Sequence, residues 1–126
     1  MNASNDNALI FHMCRADEWA TAQGRGTYSG SSQDLADGFI HFSTAMQVRV
    51  SAAKHRAGQT GVILLWVDPA RLLGNTLKWE ESRNGMLFPH LYGVLNTDAA
   101  IRTDPLDLDP DSIHIFPPDF PVSEVE

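Results

Sequence analysis

Apolar residues occur along this chain in short blocks punctuated by glycine, proline and acid, each long enough for a strand or a few helical turns. The first block, residues 8–13 (ALIFHM), is apolar and partly aromatic and predicts a strand carrying His12. Residues 16–23 (ADEWATAQ) have acids in the first turn and Gly24 after the last, which predicts a short helix. Residues 24–37 are rich in Gly and Ser and read as a loop, with room for a short strand near Tyr28. Residues 39–42 (FIHF) are a second strand bearing His41, which runs directly into Ser43 and Thr44. Thr44 and Gln47 have capping-box spacing, so a helix is expected from there to about Ala57, ended by Gly58. Its apolar face is modest, as for a helix lying on a sheet.

Residues 61–67 (GVILLWV) are the one unbroken apolar run and predict the core strand. Asp68 and Pro69 then start a single helical turn reaching Leu72. Residues 77–81 (LKWEE) alternate, with Lys78 and Glu80 on one face and Trp79 and Glu81 on the other, Trp79 being expected towards the core. A turn is expected at Arg83-Asn84-Gly85, then a strand over residues 90–95, a turn capped by Thr97, and a last strand over residues 100–103. Helices come early and strands cluster late. That order predicts an α+β fold with a mainly antiparallel sheet and not a doubly wound one.

A length of 126 residues suits one domain. Its expected limits are residues 8–106, with a flexible N-terminus over 1–7 and an acidic, Pro-rich tail over 107–126. The tail segment SIHIF could pack as an extended arm, while disorder is expected for the rest. Phe116 and Phe120 among the tail's acids also raise the idea of a lid. The net charge is −7, and the tail holds six acids with no Lys or Arg, so the remainder carries −7 + 6 = −1. A nearly neutral body without a basic stripe argues against duplex nucleic acid as a partner, but not against a small nucleotide. The longest apolar run is far short of the roughly 20 residues that span a bilayer, so no membrane partner is expected. One cysteine, Cys14, precludes an internal disulfide; with an N-terminus unlike a signal peptide, a cytoplasmic protein is expected.

Candidate chemistry centres on His12, His41 and His90, each on or beside a predicted strand. Imidazole moves protons, donates hydrogen bonds or binds metal near neutral pH. Each could equally be a satisfied, partly buried side chain, although three in one small domain would need three sets of partners. Spacings of 29 and 49 residues, with no HExxH or CxxC, do not point to a metal. Ser43 and Cys14 each lie two residues after a histidine, on one strand face. Ser43 and Thr44 are nevertheless better explained as helix caps, and Cys14 as a packing residue. Glu80 is a general-base candidate or a solvated edge glutamate. In residues 88–93 (FPHLYG), His90 and Tyr92 share a face that could wall a planar ring, or form an ordinary turn with a buried Tyr.

Taken together, residues 11–15 (FHMCR) with Trp19, residues 38–44 (GFIHFST) with Gln47, and FPHLYG resemble the signature of the bacterial domain-of-unknown-function family nine hundred and fifty-two. The resemblance covers residues 8–106. It implies an ADP-ribosyltransferase-like fold, a small split β-sandwich with two flanking helices, and a cleft for NAD or a related nucleotide as ligand or substrate, with no further cofactor. It implies that His12 holds ribose hydroxyls, that His41 is an acid/base or anion contact, and that Ser43 and Thr44 meet phosphate or carboxamide. Arg15 would pair with phosphate, and His90 and Tyr92 would flank the ring. Glu80, with Asp104 behind it, is the nearest match to the late acid of that fold. Glycosyl (ADP-ribosyl) transfer or NAD-glycoside cleavage is the leading expectation; a non-catalytic small-metabolite binding module and a His/Glu hydrolase are the alternatives.

Overall fold

The computed structural model describes residues 8–73, 76–82 and 85–121. The expected N-terminal segment 1–7 and the turn residues Arg83 and Asn84 lie outside them. Eight strands, β1 (Ile10–Arg15), β2 (Thr27–Tyr28), β3 (Ile40–His41), β4 (Val62–Val67), β5 (Thr76–Glu81), β6 (Leu87–Tyr92), β7 (Leu95–Asn96) and β8 (Ala100–Pro105), alternate with helices α1 (Ala16–Arg25), α2 (Ser32–Asp37) and α3 (Val48–His55). The strands form three antiparallel sheets, ordered β1-β4-β8, β2-β7 and β3-β6-β5. The α+β class and antiparallel pairing expected from the strand order are therefore present.

β4 explains the architecture. Its unbroken apolar run is buried on both faces: Leu65 and Val67 enter one cluster with Ile10, Trp19, Phe42 and Leu91, while Val62, Leu64 and Trp66 enter a second with Phe11, Val48 and Phe120. The first cluster lies beneath the β3-β6-β5 sheet and α1. The second needs a cover that α3 only partly supplies, and the C-terminal segment completes it. Leu106 and Phe120 are 1 % and 3 % exposed, and Phe120 sits edge-on to Phe11 and Trp66 at centroid distances of 5.0 and 5.3 Å. Arg102 anchors the same segment through Asp119, at 2.7 and 2.9 Å. Disorder expected for the tail is thus corrected up to Pro121: its aromatic residues bury apolar surface that outweighs the entropy of ordering it.

Local differences have local causes. α1 runs to Arg25, because Gly26 and not Gly24 takes the left-handed conformation (φ 83°) that closes the helix. The loop expected over residues 24–37 contains α2, whose single buried residue is Asp34, so no apolar stripe announces it. That makes three α-helices among the described residues where two were expected. Thr44 and Gln47 form half of the expected box, Gln47 Oε1 accepting the Thr44 N–H at 3.0 Å, and the helix proper begins at Val48. β6 begins at Leu87, three residues before the expected start. Trp79 is 48 % exposed and not core-facing, because β5 is an edge strand whose outer half overhangs the packed cluster that Leu77 still reaches.

Candidate functional site

The β3–β6 and β5–β6 registers set His41, His90 and Lys78 side by side across one sheet face. Phe39 stacks on His90 at 4.1 Å and packs obliquely on His41 and Tyr92. A two-residue bridge between Phe11 and Ser43 joins this sheet to β1, and a cleft of about 600 Å³ opens along the join. It is lined by residues from β1, α2, β3, α3 and β6, among them His12, Arg15, His41, Ser43 and His90. Five of the eight expected site residues therefore meet in one cavity. Glu80 and Tyr92 stand behind His90 and bond to it or to each other, and Thr44 is on the turn beyond Ser43, outside the lining.

His12 is 5 % exposed and both its ring nitrogens are engaged. Nδ1 lies 2.6 Å from the His41 carbonyl oxygen, which can only accept, so Nδ1 carries the proton and donates. Burial holds its pKa below 6.5 against the pull of Asp34, so the ring is neutral. Nε2 therefore accepts from the Tyr28 hydroxyl at 2.8 Å.

His41 is held differently. Nδ1 lies 2.5 Å from Asp34 Oδ1 and Nε2 lies 2.9 Å from Asp37 Oδ2. The Asp34 bond raises its pKa, burial opposing and Asp37 adding, so the ring is held as an imidazolium between two carboxylates. Asp34 is 2 % exposed. Burial alone would push its carboxyl up, but hydrogen bonds from the His41 ring and backbone and from the Ser31 N–H outweigh it and hold the carboxyl well below its ordinary value. α2 places it there: Ser31 Oγ accepts the Asp34 N–H, and Asp34 Oδ2 accepts the Ser31 N–H at 2.7 Å.

His90 is 7 % exposed, and its Nδ1 donates to Glu80 Oε1 at 2.8 Å. The Tyr92 hydroxyl donates to the same oxygen at 2.7 Å. These bonds, His90 first, lower the Glu80 pKa. Nε2 of His90 has no hydrogen-bond partner among the described residues. Ser43 Oγ meets Ser51 Oγ at 2.9 Å, not an imidazole. Cys14 is fully buried, and burial pushes its thiol up to about 12, as for a packing residue. Asp104 is engaged elsewhere, by Trp66 Nε1 and Arg102. Among the described residues, no three His, Cys, Asp or Glu side chains are grouped to hold a metal ion, no helix is long and apolar enough to cross a membrane, and no tail residue lines the cleft.

Sequence reasoning missed Asp34, Asp37, Tyr28 and Arg56 as site residues. The one available signal was Ser31-x-x-Asp34, a capping box inside a stretch whose Gly and Ser content otherwise reads as loop.

No curated protein matches the chain. The crystal structure of protein CC0527 from Caulobacter crescentus is 44 % identical, with a TM-score of 0.81 over 86 % of this chain and 94 % of that one. The solution NMR structure of CC0527 is 46 % identical, with a TM-score of 0.72 over 83 % and 90 %. The sequence profile of the family described as "Protein of unknown function (DUF952)" matches residues 13–103, a span that contains the FIHFST and FPHLYG motifs and the His41–His90 pair, and the chain belongs to that family.

Proposed function

We propose that the cleft binds a nucleotide-type ligand of the NAD or ADP-ribose class, and that His90 moves a proton there during cleavage or transfer at the ribosyl carbon. The observation that carries this is the His90–Glu80 pair: His90 lines the cleft, its Nδ1 donates to the Glu80 carboxylate, and its Nε2 has no hydrogen-bond partner among the described residues. The cavity size lies in the range of small-molecule sites, and the family resemblance supplies the ligand class. In the reaction the bond from ribose to the cationic nicotinamide nitrogen breaks, and its electron pair leaves with nicotinamide. A water or acceptor hydroxyl forms the new bond, and His90 Nε2 takes the proton it loses. Asp37, half-exposed on the cleft wall beside His41, supplies negative charge for the oxocarbenium-like centre. His12 and Glu80 act through others, as positioning residues. His41 is the fixed cation, and Arg15, Ser43, Thr44 and Tyr92 serve as ligand contacts or supports.

The second reading is a binding module without turnover. It is favoured by the internal saturation of His12 and His41, whose ring nitrogens are all taken within the chain. Ligand-observed NMR with NAD, ADP-ribose and nicotinamide, run beside a nicotinamide-release assay, decides among these. Binding with release that His90→Ala abolishes supports the enzyme; binding without release supports the module; no binding at millimolar ligand removes the nucleotide reading.

A further inference from the structure

Beyond the histidines, the cleft follows the open edge of β1. Phe11 exchanges both backbone hydrogen bonds with Ser43, each at 2.8 Å. The two-residue alternation of a strand turns the N–H and C=O of Met13 to the same edge, about 6.6 Å further along. Instead of another strand, Arg56 meets that edge: its Nη2 donates to the Met13 carbonyl at 3.1 Å, and its Nη1 to Gln59 Oε1 at 3.1 Å. A guanidinium has five N–H donors, and the others of Arg56 have no acceptor among the described residues. No carboxylate among them pairs with it. Basic side chains after a helix commonly complement its own last carbonyls, but the Arg56 side chain reaches to β1. Beside it, the Ser43 and Ser51 hydroxyls form a pair whose residues are both 6 % exposed, and His55 follows Ser51 by one turn on the same face of α3. Arg15 on this rim is already tied to Asp17, and Glu18 is the acid at this end. In a chain of net charge −7, a braced and unneutralised guanidinium inside a cleft marks the place where an anion is favoured.

We propose that the α3 end of the cleft is a phosphoryl-anion subsite, in which the Arg56 guanidinium and the Met13 N–H hold the oxygens next to the Ser43–Ser51 hydroxyl pair and His55. This deepens the nucleotide reading and rests on it for orientation: the phosphates lie against Arg56 and the sugar against His41 and His90.

The probe is inorganic pyrophosphate, titrated calorimetrically into the full chain, with ADP-ribose as a separate arm. Pyrophosphate is expected to bind, with affinity falling roughly ten- to a hundredfold in Arg56→Gln. Arg56→Lys keeps the charge but not the fork, and is expected to lose several-fold; it reads the same contact if Arg56→Gln does not fold. Absence of pyrophosphate binding, or affinity unchanged in the folded variants, overturns the subsite. Arg56-dependent pyrophosphate binding without ADP-ribose binding upholds the subsite and removes the nucleotide reading. ADP-ribose binding indifferent to Arg56 does the reverse.

Discussion

The Nδ1 of His41 lies 2.5 Å from Oδ1 of Asp34, and the same oxygen accepts the backbone N–H of His41 at 3.0 Å. One buried carboxylate therefore fixes both the ring and the strand that carries it, and this couples the site to the stability of the fold.

That coupling has a pH signature. The His41 pKa is raised above 6.5, so its contribution to stability is fully present below about 6.5 and is lost as pH rises through the higher folded value. The Asp34 pKa is lowered below 3.8, so its contribution is present above about 3.8 and is lost as pH falls through the lower folded value. The pair is worth most between those limits. Asp34→Asn removes the charge while keeping the shape, and is expected to destabilise by about 2 kcal/mol, less than for a fully buried ion pair because the His41 side chain is 38 % exposed and partly screened. Urea melts at several pH values should show the deficit shrinking as pH rises well past 7. NMR titration should find the His41 pKa lowered in the variant; an unchanged value would mean that Asp37 alone sets it.

Gly30 guards the same carboxylate. Its φ is 102°, and a Cβ built there would lie 2.5 Å from Asp34 Cβ and 2.9 Å from Asp34 Oδ2. Gly30→Ala therefore combines an unfavourable backbone conformation with a clash against a side chain locked by His41 and Ser31, for a loss on the order of 2–3 kcal/mol. The His41 pKa should fall with it as Asp34 is displaced. A stable variant with His41 unshifted would show that the α2 turn relaxes freely.

The expected elements were legible where one principle decided them. The double-faced burial of β4 shows as an unbroken apolar run, and the Asp68 cap before Pro69 gives the 3-10 turn at Pro69–Arg71. His12, His41 and His90 stood out because their flanking residues are apolar. Asp34 did not, because α2 buries a carboxylate and not a hydrophobic stripe, and its partners lie seven residues away on β3 and twenty-two away on β1. Trp79 misled because alternation gives the face of a strand but not how far the core extends beneath it. The tail misled because its composition is that of a disordered segment, while two facts of tertiary structure, a bare face of β4 and the Arg102 guanidinium, give it somewhere to pack.

Phe120 tests the tail. It closes an aromatic triad with Phe11 and Trp66 and lies under Arg49 at 4.9 Å. Phe120→Ala is expected to destabilise by about 3 kcal/mol through lost burial and the cavity left behind. Because no described tail residue lines the cleft, affinity for pyrophosphate or ADP-ribose should be unchanged in the folded fraction. A large affinity change without a stability change would instead revive the tail as a lid.

In the proposed reaction, the His90–Glu80 pair separates the reacting group from the group that aims it. His90→Ala removes the proton acceptor and should lower kcat for nicotinamide release by about 10²–10⁴-fold. Glu80 lies outside the cleft lining and bonds to His90, so in the proposed reaction Glu80→Gln, which keeps an oxygen at the Nδ1 position, should lower kcat by roughly tenfold and leave KM nearly unchanged. Its side chain is 37 % exposed, so the substitution should cost little stability. Tyr92 donates to the same oxygen, and its pKa is raised chiefly by that bond. Tyr92→Phe should therefore mirror Glu80→Gln in kind but with a smaller effect. If Glu80→Gln raised KM and left kcat untouched, the carboxylate would be a direct ligand contact, and the proton would have to be taken by another group on the cleft wall, of which Asp37 is the nearest in chemistry.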